Sequence, residues 1–497
     1  MRKALAILLV FSFYFLPSKA QEFIGCRVGD TWAETPMLRT SFYVDAGDLT
    51  PSAYRSCSYG LVVTSLGYHE VYINGQKVGD KVMQPAVSQL DKRALWVEYD
   101  ITPYLHEGDN ELMLWLGQGW GRIYGTPAAA RATVRKSVSD GECGLIYEIL
   151  TTDSTWEASP SPYSYTGNWQ PMQFGGERYD ARVREHWRPA AVYDAKDIIV
   201  SRQEFKGNRV TDTIEPQFTE QLADGSILID FGRVVTGWFD VVFENVPMGQ
   251  EVTMEYLDHR EARPPFTETD TYIGDGGIDH FTNRFHMHAF RYVRIRGLNA
   301  AANSSPKLGE VPEGRRSVSA RALQISAVDP KGGATFECSD PRLNAIHDRV
   351  KHTLSCLTFS GYMVDCPHIE RMGYGGDGNS STMTLQTLWD VRDTYRDWLT
   401  AWGDAMDSTG DVLEQVDWRR GVEHHPALHA GIVDGMEHAV VMSAGFVVDG
   451  ENVGTCLPER LDITPRVFNH QMNIQRLAGM LLDILDYRLA ERDIGHE

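Results

Sequence analysis

From Tyr59 to Ile73 the pattern is one of alternating, strand-forming residues, and the run ends on Asn74-Gly75. A period of two turns one face of a strand to a core and the other to water, and Asn-Gly supplies the left-handed residues of a two-residue hairpin. Antiparallel β-structure is therefore imposed early. Similar runs at 94–101, 111–116 and 144–150, spaced by Gly, Asp and Pro, predict a β-sandwich over residues 21–210. A second set at 227–232, 237–243, 251–256 and 290–296 predicts another sandwich over 211–300. The Pro-, Thr-, Asp- and Gly-rich insert 263–277 reads as loop, and 301–335, rich in Ala, Ser, Pro and Gly, as a linker.

The period then changes. Ser339-Asp340-Pro341 is a helix start, with Asp340 able to cap free N–H groups and Pro341 in the first turn. Leu343, Ile346, Val350, Leu354 and Leu357 follow at steps of three and four, and Val391, Tyr395, Trp398, Leu399, Trp402, Ala405 and Met406 form a second such face. Between the two lies an acidic stretch carrying Asp365, Glu370 and Asp377 among glycines and aromatics. Carboxylates this close repel one another, and hydrolases use that repulsion to keep one carboxyl protonated as an acid. An acidic glycine-rich surface loop would look the same. A catalytic loop at helix ends, backed by apolar faces, is the geometry of an α/α toroid over residues 336–497.

A net charge of −21 and the lack of a basic stripe exclude a nucleic-acid partner. Aromatics make up 10% of the chain, which suits stacking on sugar faces as well as core packing. Arg2-Lys3, an apolar run from Ala4 to Leu16 and Ser18-Lys19-Ala20 read as a signal peptide over 1–20, which implies a periplasmic or extracellular protein without a membrane span. Seven cysteines make no disulfide scaffold, although Cys26 with Cys57 is a candidate pair. His424, His425 and His429 invite a metal reading that Pro426 weakens, and no zinc spacing occurs.

The stretch Asp365-Cys366-Pro367-His368-Ile369-Glu370-Arg371-Met372-Gly373-Tyr374-Gly375-Gly376-Asp377 resembles the active-site motif of bacterial α-L-rhamnosidases, inverting enzymes of glycoside hydrolase family 78. Two upstream regions resemble the same family. One is Tyr72 to Asp80 with Tyr99-Asp100-Ile101-Thr102 and Leu116 to Trp120. The other is Asp230-Phe231-Gly232 with Gly237-Trp238, Asp270-Thr271-Tyr272 and Phe290-Arg291-Tyr292-Val293. The resemblance implies two N-terminal antiparallel β-sandwich domains followed by an incomplete (α/α)6 barrel. It also implies an α-L-rhamnosidase acting on rhamnose-containing glycans or glycosides.

By position, the resemblance makes Glu370 the general acid and Asp365 and Asp377 the carboxylates that grip the sugar and tune that acid. Arg371, Tyr374 and His368 become substrate-binding positions. The family more often has Trp where Tyr374 stands, and Gln and Arg where His368 and Ile369 stand. No cofactor is required. The family's sandwich can bind rhamnose through calcium, and Glu177 and Asp180 lie in the comparable segment.

An inverting enzyme also needs a base on a second carboxylate. In the family this is a Glu far into the barrel. Residues 336–497 suffice for about half of a twelve-helix ring, and 411–497 match nothing in the family. The expectation is a chain truncated or frame-disrupted after about residue 410, its base unassigned among Glu414, Glu423, Glu437, Glu451 and Glu459. The alternative is an inactive truncated rhamnosidase acting at most as a carbohydrate-binding protein.

Overall fold

The computed structural model describes residues 22–405, except 28–33, 51–55, 140–143, 196, 263–267, 299–306 and 309–319. The chain divides into two units, 1–203 with 207–325, and 204–206 with 326–497.

The first unit opens with two facing sheets. One runs Ala191–Tyr193, Phe23–Gly25, Ala129–Ser139, Ser56–Ser65, Arg93–Asp100, Ile199–Arg202, with Gly144–Thr151 also on Ala129–Ser139. The other runs Arg188–Pro189, Glu157–Ser159, Met37–Val44, Gly108–Gly117, Tyr68–Ile73, Gln76–Lys77. Leu61, Val63, Val71, Ile73, Leu112, Leu114, Leu116 and Trp156 fill the core between them, the alternate residues of their strands.

The expected hairpin forms. Ile73 pairs with Gln76 across Asn74 (φ +51°) and Gly75 (φ +78°). The run leading to it is not one strand, however. It breaks at Leu66-Gly67, where Gly67 has φ +147° and a side chain would strike the Gly117 and Gln118 carbonyls, and the chain passes from one sheet to the other. The candidate pair does not form, since Cys26 and Cys57 are not bonded to each other, and Cys57 Sγ donates to Asp48 at 3.6 Å.

The second β-region is a single twelve-stranded sheet around its own core. Its spine is Ile227–Glu244, which the sequence divides into two runs. A register shift between Asp230 and Val235, with Gly232 at φ +80°, keeps both runs in one strand. Arg291 closes this irregularity by donating to both oxygens of Asp230, at 2.8 and 2.9 Å, which ties together two of the family-like segments.

Two expectations are corrected here. Thr269–Ile273 lies in the insert read as loop, yet it is a strand between Glu251–Leu257 and Glu177–Asp180. Ala320–Ser326 lies in the supposed linker, yet it pairs with residues 237–241 of the spine. The sheet also takes Lys81–Val82, Tyr163–Tyr165 and Glu177–Asp180 from the first 210 residues, so strands from both expected sandwiches build one layer.

In the second unit, helix α1 (Pro341–Leu357) starts as expected, Asp340 accepting from Arg342 N–H at 2.9 Å. A small hairpin, Thr358–Phe359 with Tyr362–Met363, turns at Ser360 and Gly361, both at positive φ. Helices α2 (Gly375–Leu388) and α3 (Arg392–Ala405) follow.

Of the apolar face expected on α1, Leu354 is buried, whereas Leu343, Ile346 and Val350 are exposed among the described residues. On α3, Tyr395, Trp398, Trp402 and Ala405 are buried as expected. Buried Asp397 accepts from the N–H groups of Glu204 at 3.1 Å and Phe205 at 2.8 Å, which places 204–206 with this unit. Among the described residues no helix is long and apolar enough to cross a membrane.

Candidate active site

The segment between the hairpin and α2 is folded back on itself. Asp365 N–H donates to the Met372 carbonyl at 2.9 Å, and Met372 N–H returns to Asp365 Oδ1 at 3.0 Å. Within this bracket Arg371 N–H donates to Cys366 O at 3.0 Å and Arg371 Nε to Pro367 O at 2.8 Å. Tyr362 of the hairpin donates its hydroxyl to the Arg371 carbonyl at 3.0 Å. Arg371 holds φ +57° and is 1% exposed. A non-glycine residue there carries strain of about 1–3 kcal/mol, which these bonds must offset. Arg371, a position expected to bind substrate, is held by these bonds and shapes the loop.

That shape brings the carboxyl of Glu370 into a hydrogen bond with Asp365. Burial first, and then this bond, push the Asp365 carboxyl up to about 7, against the pull of the Cys366 and Met372 donors. Two carboxyls in contact cannot both ionise cheaply, so near neutral pH the pair keeps one proton between them.

Each end of the pair has a further donor. Cys366 Sγ lies 3.2 Å from Asp365 Oδ2, and burial together with the Asp365 charge pushes that thiol up to about 12. The Tyr374 hydroxyl bonds Glu370, and burial with that bond raises it well above the usual phenol range. Ligand-type atoms of Asp365, Cys366 and Glu370 lie within 4.8 Å of one another.

The other predicted residues lie on the same loop and on the helix that follows it. Asp377 is half-buried in the first turn of α2, where the helix dipole favours a negative charge. His368 is half-buried in the loop. Gly373 and Gly378 let the loop and α2 close on Trp398, since a Cβ on Gly378 would stand 2.6 Å from its ring. The five candidate bases and His424, His425 and His429 lie outside the described residues, as do residues 1–20, read as a signal peptide.

Glu177 and Asp180 do not converge on an open sugar or calcium site. Three residues apart on one strand, they point to opposite faces. Asp180 is engaged by Arg182 through two 2.8 Å bonds. Glu177 is fully buried and accepts from the N–H groups of Arg284 and Phe285, both at 2.8 Å.

Around Glu177 lies a buried network that sequence reasoning missed. Asp270 accepts from Glu177 N–H and Asn283 Nδ2, each at 2.6 Å, from Tyr256, and from His288 Nε2 at 3.0 Å, while His288 Nδ1 meets Glu268. The signal was present in Asp270-Thr271-Tyr272, but its partners are remote in sequence. Trp120, at the end of a family-like segment, is buried against Trp169 and Phe174.

Comparison with known proteins matches three consecutive stretches. Residues 57–219 match the alpha-L-rhamnosidase N-terminal domain, 220–311 the bacterial alpha-L-rhamnosidase concanavalin-like domain, and 331–422 the bacterial alpha-L-rhamnosidase six-hairpin glycosidase domain. The last runs beyond Gly410, where sequence reading loses the family. An alpha-L-rhamnosidase of Formosa agariphila is 28% identical over 376 residues, which is 68% of this chain and 37% of that protein. Among solved structures, the Aspergillus terreus rhamnosidase superposes with a TM-score of 0.68 at 22% identity, over 86% of this chain and 51% of that one. The Streptomyces avermitilis alpha-L-rhamnosidase complexed with L-rhamnose gives 0.62 at 20% identity, over 77% and 37%. The chain thus spans well under two thirds of the length of these relatives. With the acidic motif folded into a proton-sharing pair and three successive domains matched in order, the chain belongs to the bacterial α-L-rhamnosidase family.

Proposed function

We propose that this protein is an exported glycoside hydrolase that removes terminal α-L-rhamnose from glycans or glycosides with inversion, and that α1 to α3 open an (α/α)6 barrel. The observation that carries the reading is the hydrogen-bonded Asp365–Glu370 pair at helix ends, its proton retained to about pH 7.

In this reading Glu370 gives its proton to the glycosidic oxygen, which leaves with the electron pair of its bond to C1. Asp365 lends the shared proton and limits the charge left behind, while Asp377 and His368 face sugar hydroxyls. Water adds to C1 from the opposite face and loses its proton to a second carboxylate, which in inverting enzymes stands roughly 6.5–9.5 Å away.

The test is nitrophenol release from nitrophenyl-α-L-rhamnoside, with the first-formed sugar followed by NMR. Release with β-L-rhamnose appearing first is expected. First appearance of the α-anomer would overturn inversion, and rhamnose binding without release would favour the binding-only alternative.

A further inference from the structure

The hydrogen bonds around the acid pair form a chain: Cys366 thiol to Asp365, Asp365 to Glu370, and Tyr374 hydroxyl to Glu370. The two outer groups keep their protons throughout the working range, because burial and the neighbouring carboxylates push both upward. Each is therefore a permanent donor aimed at a group that must exchange its proton.

We infer that Tyr374 and Cys366 are positioning residues for the acid pair: their hydroxyl and thiol protons occupy outer lone pairs of Glu370 and Asp365, so that the shared proton stays on the edge between the two carboxyls. This rests on the glycosidase reading of Glu370 and adds to it the device that orients the acid.

Other titratable groups lie on the same loop and on the elements next to it. His368 and Arg371 belong to the same loop, and Asp377 to the first turn of α2. Tyr362 of the hairpin is engaged by the Arg371 carbonyl, and from α3 the Trp398 indole lies under Gly373. Tyr374 sits at the N-cap of α2 without capping it through its side chain, so its hydroxyl is available for Glu370. Losing one donor to a charged acceptor weakens the ionised form. At a half-buried site this shifts the pair's titration upward by about one pH unit.

The experiment compares Tyr374→Phe, Cys366→Ala and Cys366→Ser with the parent. Tyr374→Phe and Cys366→Ala should each lower kcat about tenfold with KM within about twofold, and move the alkaline limb of the pH profile up by about one unit. Cys366→Ser, which restores a donor, should recover most of the loss. Unmoved limbs, or a Cys366→Ser variant as impaired as Cys366→Ala, would overturn the inference. Should the parent be inactive, the glycosidase reading fails by itself. An infrared pH titration of the pair's carboxyl band then still decides the positioning claim, an upward shift in Tyr374→Phe supporting it and an unchanged midpoint refuting it.

Discussion

Glu370→Gln should lower turnover of a rhamnosyl disaccharide by roughly 10²–10⁴-fold, the range general acid catalysis contributes. Glutamine keeps the size and the hydrogen bond to Asp365 but has no acidic proton. The leaving oxygen of a sugar is a poor leaving group, so it must be protonated as the bond breaks. Nitrophenolate leaves readily, and its release should fall far less. This leaving-group dependence marks an acid, since a residue that only bound the sugar would impair both substrates alike. Equal losses on the two, or a variant within about twofold of the parent on the disaccharide, would remove Glu370 from that role.

The second large effect concerns stability. Asp270→Ala should cost about 3–5 kcal/mol, because it breaks a buried ion pair and strands donors of His288, Tyr256 and Asn283 in the core. The same network fixes the direction of a pH response. The carboxylates of Asp270 and Glu268 raise His288 from 6.5 to about 9 against the opposing effect of burial. Its contribution is complete below about 6.5 and lost as pH rises through 9. Burial and the Asp270 charge raise Glu177 from 4.5 to about 8, so folding holds that proton too, and its contribution, complete below about 4.5, is lost as pH rises through 8.

Both groups therefore weaken the protein on the alkaline side, with His288 alone worth on the order of 3 kcal/mol. Urea unfolding followed by tryptophan fluorescence at pH 6 and pH 9 measures this. A midpoint that stays constant or rises toward pH 9 would contradict it, and in Asp270→Ala the pH response should be much reduced.

What could be read from the chain depended on how local the determinants were. Asn74-Gly75 announces its hairpin because its two residues alone set the turn. The acid pair was legible for the same reason: Asp365 and Glu370 are five residues apart, and the loop that joins them is closed by its own backbone. The burial of Glu177 was not legible, because its acceptors and donors lie about a hundred residues away, from Asp270 to Phe285, and nothing local distinguishes a buried carboxylate from an exposed one. Thr269–Ile273 was hidden for a related reason. Its buried alternate positions carry Asp270 and Tyr272, polar residues that become core only through partners on other strands. The passage of Tyr59 to Ile73 between two sheets turned on one crowded glycine, invisible until Gly117 is known to lie against it.

The claim at the centre of this account is that Asp365 and Glu370 share one proton at neutral pH. An infrared pH titration of the protein, taken as the difference between the parent and Asp365→Asn, isolates it, because the protonated carboxyl of Glu177 is common to both and cancels. A protonated-carboxyl band present at pH 6 and bleaching as pH rises through about 7 is the predicted result. A difference spectrum with no such band above pH 5 would mean that both carboxyls are ionised and that no acid is stored there.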